Sequence, residues 1–285
     1  MLTFVLLALA ICAVWLSRFR LAGSVFVPPW ALLFLCATLS GLLSGVLSWP
    51  ALVVLAVLFA AGELSRHVVG QPARIALVLI AGLVSLGLAL HLFPGFHNPV
   101  VLNEVRTGPS AVPFTQYANF DKAAAGLALL AYFSRRLRSA SELREVWAPT
   151  AVAAILTAAV LLGVGLAIGH LAFDPTLPSF ALTFLAINLL FTCVAEEAFF
   201  RGLIQERLAS VLARRWQWLA VAVSSALFGL AHIAGGIVYA FLATILGLGC
   251  ATAYSKTRRV EAPILVHFFF NATHFLLFTY PFLQR

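Results

Sequence analysis

Long apolar runs separated by short polar breaks constrain this chain more than any other feature. About ten of these runs approach the ~20 apolar residues that a helix needs to cross a membrane core ~30 Å thick. Only 10% of the 285 residues are Asp, Glu, Lys or Arg, against about 25% in soluble domains. The sequence therefore excludes soluble enzymes, disordered tails and secreted disulfide scaffolds. It predicts an all-α, polytopic transmembrane helical bundle with about ten spans (eight to ten).

The predicted spans share a high apolar content and end at polar or charged residues. In chain order they are residues 1–17, 25–46, 49–63, 75–93, 122–134, 149–172, 179–200, 217–234, 236–254 and 261–280. The first run has no basic residues before it, and Arg18 and Arg20 follow it. This order predicts a retained anchor rather than a cleaved signal peptide.

The distribution of basic residues explains the net charge of +8. If the N-terminus is non-cytoplasmic, alternating loops place all but three of the 18 Lys and Arg residues on one side, the exceptions being Arg106, Lys122 and Arg285. Such an excess is typical of cytoplasmic loops. We therefore expect no nucleic-acid partner, both termini on the non-cytoplasmic side, and a multi-pass protein of a bacterial inner (plasma) membrane.

The chain divides by content into two predicted regions. Residues 1–121 hold N-terminal transmembrane helices and a non-cytoplasmic loop, and residues 122–285 hold the candidate catalytic membrane domain, with its motifs within 196–271. Residues 94–121 contain four prolines and are longer than most connections between helices. We expect a solvated loop here, and the alternatives are a segment that lies in the membrane interface and one that caps the bundle from outside.

Two adjacent carboxylates, Glu196 and Glu197 in CVAEEAFFRG, are the first candidate site residues. Ionisable groups at membrane depth are costly and therefore indicate function. Glu197 and Arg201 have the i,i+4 spacing of an ion pair on one helix face. That pairing would leave Glu196 as the carboxylate able to act as a general base. The alternative is an interfacial acidic pair that reaches water.

Histidines supply the second and third candidate elements. His232 in FGLAH shares a helix face with Phe228, and His267 in HFFFN shares one with Asn271. An imidazole and a carboxamide side by side suit donation of two hydrogen bonds to a developing oxyanion. The alternatives are a hydrogen-bonded core histidine and a polar clamp between helices.

Together, EExxxR, FxxxH and HxxxN occur in that order on three of the last four predicted spans. This ordered triple resembles the CPBP family, which comprises the type II CAAX prenyl endopeptidases and their bacterial relatives, and the resemblance covers residues 179–280. It implies an intramembrane endopeptidase with a CPBP-type catalytic core in the C-terminal half. Its substrate would be a membrane-anchored protein or peptide.

The resemblance also implies a role for each candidate residue. Glu196 would be the general base, and His232 would orient and polarise the attacking water. His267 and Asn271 would stabilise the tetrahedral intermediate. The site would be supported by Glu197 with Arg201, and by Phe228, which is the phenylalanine of FxxxH.

Metal dependence and two other functions remain open at this stage. No HExxH occurs, and the four cysteines lie in apolar runs where we expect packing roles. A glutamate-type hydrolase without cofactor is therefore favoured over a divalent ion such as zinc, whose ligands would be Glu196, His232, His267 and Asn271. The other functions are a non-catalytic binding or immunity protein and a proton-coupled transporter.

Depth along the helices raises one geometric conflict. Counted from the nearest loop charges at ~1.5 Å per residue, His232 lies deeper than Glu196. We therefore predict an amphipathic interfacial segment within 202–220 that makes the next span start late. The pair Gly235–Gly236 predicts a helix break.

Overall fold

The fold is mostly helical, as the apolar runs predict. A computed structural model describes residues 1–22 and 25–284. Helix accounts for 71% of the chain and strand for 7%.

The helices follow the apolar runs closely. The α-helices are α1 Leu2–Cys12, α2 Pro29–Leu43, α3 Trp49–His67, α4 Gln71–Ala89, α5 Phe120–Tyr132, α6 Ala140–Ala167, α7 Ala181–Ile187, α8 Val194–Glu197, α9 Glu206–Val211, α10 Gln217–Ala231, α11 Ile237–Thr257 and α12 Glu261–Leu277. Every one of the predicted spans overlaps one of these helices. The prediction of helices from hydropathy is confirmed.

Length and hydropathy identify fewer membrane spans than the sequence predicts. Within residues 1–22 and 25–284, five helical segments are long and apolar enough to cross a membrane. They are Trp49–His67, Gln71–Ala89, Ala140–Ala167, Ala181–Val211 and Ile237–Thr257. Leu2–Trp15 and Pro29–Leu43 are shorter apolar helices. The chain is thus an integral membrane protein, and the count of about ten spans stays a prediction.

Two strand pairs were not predicted, so the all-α expectation is corrected to a mostly helical fold with a small strand content. β1 (Phe19–Ala22) pairs with β2 (Val25–Val27). β3 (Val100–Val105) and β4 (Phe114–Tyr117) form a second sheet inside the proline-containing segment 94–121. Prolines exclude a long helix from this segment, while β-branched residues such as Val100 and Thr115 favour extended backbone.

The helical segment from Ala181 to Val211 contains an unusual distortion. Residues Asn188–Cys193 and Ala198–Gln205 are π-helical, on either side of the four-residue helix α8. The π-helix is rare, usually lasts one turn, and often marks a functional site. Because its hydrogen bonds run from i to i+5, the α-helical spacing assumed for Glu197 and Arg201 does not apply unchanged here.

The connections around α10 bear on two further predictions. α10 begins at Gln217, after a single 3₁₀ turn at Arg214–Trp216. Residues 206–211 continue the preceding helix, and the predicted amphipathic interfacial segment within 202–220 stays a prediction. The predicted break at Gly235–Gly236 is confirmed, because a 3₁₀ turn ends at Gly235 and Gly236 has a φ of 97° before α11.

Contacts divide the chain into two compact units. Unit 1 comprises Met1–Pro99, Tyr117–Ser134 and Leu190–Phe199, and unit 2 comprises Val100–Gln116, Arg135–Leu189 and Phe200–Arg285. This division follows packing, whereas the predicted division at residue 121 concerns function. The functional division stays a prediction.

Unit 1 places α5 at its centre. Residues 123–130 of α5 are all buried, and the small side chains in FDKAAAGLALL allow close helix packing. A Cβ built on Gly126 would lie 2.7 Å from the Cα of Ala195 and 2.8 Å from its Cβ. Glycine at this position therefore brings α5 against the backbone of the segment that carries Glu196 and Glu197.

In unit 2, Glu206 joins three separate parts of the chain. Its carboxylate accepts hydrogen bonds from Tyr254 at 2.8 Å and Arg258 at 2.8 Å, and pairs with Arg135 at 3.0 Å. The Glu206 side chain is 9% exposed. Such charge-assisted bonds are stronger than neutral ones.

We expect Glu206→Gln to lower the free energy of unfolding by about 2 kcal/mol. The carboxylate accepts from three donors, and the neutral amide that replaces it has only one oxygen acceptor. Thermal unfolding in detergent measures the change. Glu145→Gln is the matched control, since Glu145 is exposed on α6. Equal melting temperatures for the two variants would show that the Glu206 network adds no stability.

Candidate active site

The two adjacent carboxylates lie in unit 1 and differ in environment. The Glu196 side chain is 13% exposed, whereas Glu197 is fully buried at 0%. Lys122 donates a hydrogen bond from Nζ to Oε1 of Glu196 at 2.7 Å, and its side chain is 18% exposed. A nearly buried ion pair therefore contains the predicted general base.

Lys122 is the main residue that sequence reasoning missed. It was expected as a loop charge on the non-cytoplasmic side, but it lies in the first turn of α5. A lysine inside a short apolar run was the available signal, because lysine is rarely buried without a partner. Its partner is 74 residues away in sequence, and spacing rules do not reach that far.

A hydrogen-bond network fixes the start of α5 in unit 1. The carboxylate of Asp121, which is 1% exposed, accepts from His91 Nδ1 at 2.7 Å, Asn98 Nδ2 at 2.9 Å and the Lys122 backbone N–H at 2.8 Å. Asn98 Oδ1 in turn accepts from the Phe120 backbone N–H at 2.8 Å. An acidic residue in the first turn also complements the helix dipole.

The distribution of basic residues predicted that Arg201 belongs to a cytoplasmic loop. The structure places it in a helical segment instead. It lies within the π-helical stretch of unit 2 and is 0% exposed. Its Nη2 donates to the Gly247 carbonyl at 2.8 Å, and its guanidinium carbon lies 4.7 Å from the Phe228 ring centroid. A buried guanidinium over an aromatic face is a cation–π contact. Arg201 therefore contributes to the core of unit 2 rather than to loop charge.

Phe228 is a common neighbour of both candidate histidines in unit 2. Its ring centroid lies 4.7 Å from that of His232 and 5.6 Å from that of His267. His232 ends α10, and its Nδ1 donates to the Phe228 carbonyl at 2.7 Å. Because a carbonyl only accepts, this bond puts the proton on Nδ1, and a neutral ring then has its lone pair on Nε2.

His267 and Asn271 occupy successive turns of α12. His267 is 3% exposed, and Asn271 is half-buried. Asn271 Nδ2 donates to Oδ1 of Asn188 at 3.1 Å. Asn188, which is 7% exposed, begins the first π-helical stretch and was not identified from the sequence.

Cys250 also lies close to His267. Its thiol and a ring nitrogen of His267 are within 4.8 Å of one another, and the thiol donates to the Pro263 carbonyl at 3.6 Å. All four cysteines were expected to have packing roles. Thiolate and imidazole are both zinc ligands, so Cys250 joins the residues to consider in any test of metal dependence.

A comparison with protein families bears on the functions that the sequence left open. Residues 178–273 match the model of the type II CAAX prenyl endopeptidase Rce1-like family. The resemblance recognised from the motifs is confirmed over these residues. The matched segment is about a third of the chain, and it contains Glu196, Glu197, Arg201, Phe228, His232, His267 and Asn271. No curated protein and no solved structure matches the chain.

The type II CAAX prenyl endopeptidase match and the helical architecture give the coarse function. A CAAX-type protease family and several apolar helices indicate a membrane protease. The candidate residues are distributed over the two units, with Glu196 and Glu197 in unit 1 and the other five in unit 2. Within unit 2 the structure brings Arg201, His232 and His267 around Phe228.

Proposed function

We propose that this protein is an intramembrane endopeptidase that hydrolyses a peptide bond of a membrane-associated substrate. The match of residues 178–273 to the Rce1-like CAAX endopeptidases carries this proposal. The substrate class is a membrane-anchored protein or peptide, presented to a CPBP-type catalytic core within residues 122–285. We further propose about ten spans, with both termini on the non-cytoplasmic side of a bacterial inner membrane.

The proposed reaction uses a water molecule as the nucleophile. Glu196 takes a proton from the water as its oxygen attacks the carbonyl carbon, and the C–N bond then breaks as the leaving amine receives that proton. The Nδ1 proton of His232 is held by the Phe228 carbonyl. The Nε2 lone pair of His232 therefore suits acceptance of a hydrogen bond from water, in keeping with the orienting role that the family resemblance implies for His232.

Charge develops on the carbonyl oxygen during this attack. His267 and Asn271 would donate hydrogen bonds to it, as an oxyanion site does. A carboxamide has two N–H bonds, so donation to Asn188 is compatible with a second donation to the oxyanion. Glu197, Arg201 and Phe228 support the site through burial and packing rather than through contact with substrate.

The direct test is cleavage by the purified, reconstituted full-length chain. Peptides with a membrane anchor and varied C-terminal sequences are incubated with the wild type and with Glu196→Ala, and mass spectrometry identifies the products. We expect products only with the wild type. Equal cleavage by both proteins would overturn the assignment. Substrate flux across vesicles without cleavage, abolished by the same substitution, would instead indicate the proton-coupled transporter.

We propose a glutamate-type mechanism without metal, and chelation tests it. Activity after dialysis against a strong chelator is expected to stay within about two-fold of the untreated enzyme, because water activation is assigned to Glu196 and His232. Loss of activity with recovery on adding zinc alone would overturn the mechanism. Cys250→Ser then shows whether the thiol near His267 takes part in metal binding.

A further inference from the structure

We propose that Lys122 is a positioning residue for Glu196, and this inference rests on the proposed function. The pair is one of the shortest ion pairs in the described residues, at 2.7 Å from Nζ to Oε1. Both side chains are largely covered, at 18% and 13% exposure. A charge-assisted bond in such surroundings is strong and directional.

The positioning role follows from what a general base requires. Its carboxylate must lie within hydrogen-bond distance of the proton that it takes. Glutamate has three rotatable bonds, so an unrestrained carboxylate would populate several orientations. With Oε1 held by the ammonium of Lys122, the plane of the carboxylate and the direction of Oε2 are defined before substrate binds.

Lys122 itself is attached to a fixed point of unit 1. Its backbone N–H bonds to the Asp121 carboxylate, which also accepts hydrogen bonds from His91 and Asn98. The residues that follow it in α5, 123–130, are buried. The Cα end of the Lys122 side chain is therefore held in place. The ion pair between its ammonium and Glu196 restrains the Glu196 carboxylate in turn.

The close packing of α5 adds a second restraint. Gly126, one turn after Lys122, allows α5 to approach the backbone of Ala195, the residue before Glu196. The ion pair and the glycine contact thus hold the same two segments together. The pair is more than a surface ion pair, which typically contributes little.

The test compares three substitutions at residue 122 in the reconstituted full-length chain. Lys122→Met removes the ammonium and keeps the length of the side chain. We expect its kcat to fall about 100-fold, because small displacements of a catalytic group cost about that much. Its KM is expected to stay within about three-fold. Lys122→Arg keeps a cation and should retain kcat within about ten-fold, whereas Lys122→Gln should resemble Lys122→Met.

The matched control is Lys256→Met, which replaces the other lysine of the chain, an exposed residue at the end of α11. It should behave as the wild type. The double variant Lys122→Met with Glu196→Gln removes both charges and reports on folding alone. We expect it to unfold at the wild-type temperature or above, because a well-packed neutral pair often replaces a buried ion pair without loss.

The outcomes separate this inference from the proposed function. If Glu196→Gln keeps full activity, the proposed function fails. If Glu196→Gln is inactive but Lys122→Met turns over at the wild-type rate, only the positioning role is overturned. A rise in kcat for Lys122→Met would also overturn it, because the lysine would then restrain Glu196 in an inactive orientation. Unchanged kcat with a raised KM would assign Lys122 to substrate binding instead.

Discussion

Glu196→Gln is expected to lower kcat by about 1,000-fold, whereas Glu197→Gln should chiefly lower stability. A general base contributes about 10²–10⁴-fold to the rate, and glutamine keeps the shape of the side chain without its ability to take a proton. Glu196 retains 13% exposure of its side chain, as a group that must meet water requires. The two substitutions therefore separate catalysis from folding at neighbouring positions.

Glu197 has the environment of a structural charge. It is 0% exposed, and charges buried to this extent are stable only when they are compensated. Neutralising it would disturb that compensation at a cost of about 3 kcal/mol. We expect a reduced yield of folded protein, with a kcat for the folded fraction within about ten-fold of the wild type.

Single-turnover kinetics on folded protein isolated by size-exclusion chromatography measures both effects. Glu104→Gln is the control, because Glu104 is exposed on β3. A turnover of Glu196→Gln within ten-fold of the wild type would contradict the assignment of the base. Loss of kcat in Glu197→Gln without loss of stability would exchange the roles of the two residues.

Sequence reasoning predicted the helices well because hydropathy is a local property. Each apolar run forms its helix largely within itself, and the break at Gly236 follows from a φ of 97° that favours glycine. The strand pair in 94–121 was missed because pairing depends on residues that meet only after folding. The prolines there indicated only that a long helix was excluded.

The candidate site was predictable as a set of residues but not as a set of contacts. The histidine of FxxxH lies against its phenylalanine as the i,i+4 spacing indicates. The spacing argument is weaker for Glu197 and Arg201, because π-helical backbone follows α8. Lys122 and Asn188 were missed because their partners, Glu196 and Asn271, are 74 and 83 residues away.

Gly126→Leu is expected to unfold unit 1 or to lower its free energy of unfolding by more than about 3 kcal/mol. A Cβ at this position would already lie 2.7 Å from the Ala195 Cα, and backbone atoms cannot turn aside as a flexible side chain can. Overpacking of this kind typically costs about 1–3 kcal/mol, and occasionally more. Leucine adds three further carbons in the same direction.

The matched control is Gly163→Leu in α6, where a built Cβ meets no atom within 4 Å. That variant should be neutral or gain roughly 0.8 kcal/mol, because leucine favours helix over glycine. Gly126→Ala gives the graded case: if the helices separate enough to admit the methyl group, the 2.7 Å bond between Lys122 and Glu196 lengthens as well. The loss of activity in Gly126→Ala should then appear as a lower kcat, with KM unchanged. Full activity and full stability for Gly126→Leu would show that close approach of α5 is not needed to hold Glu196.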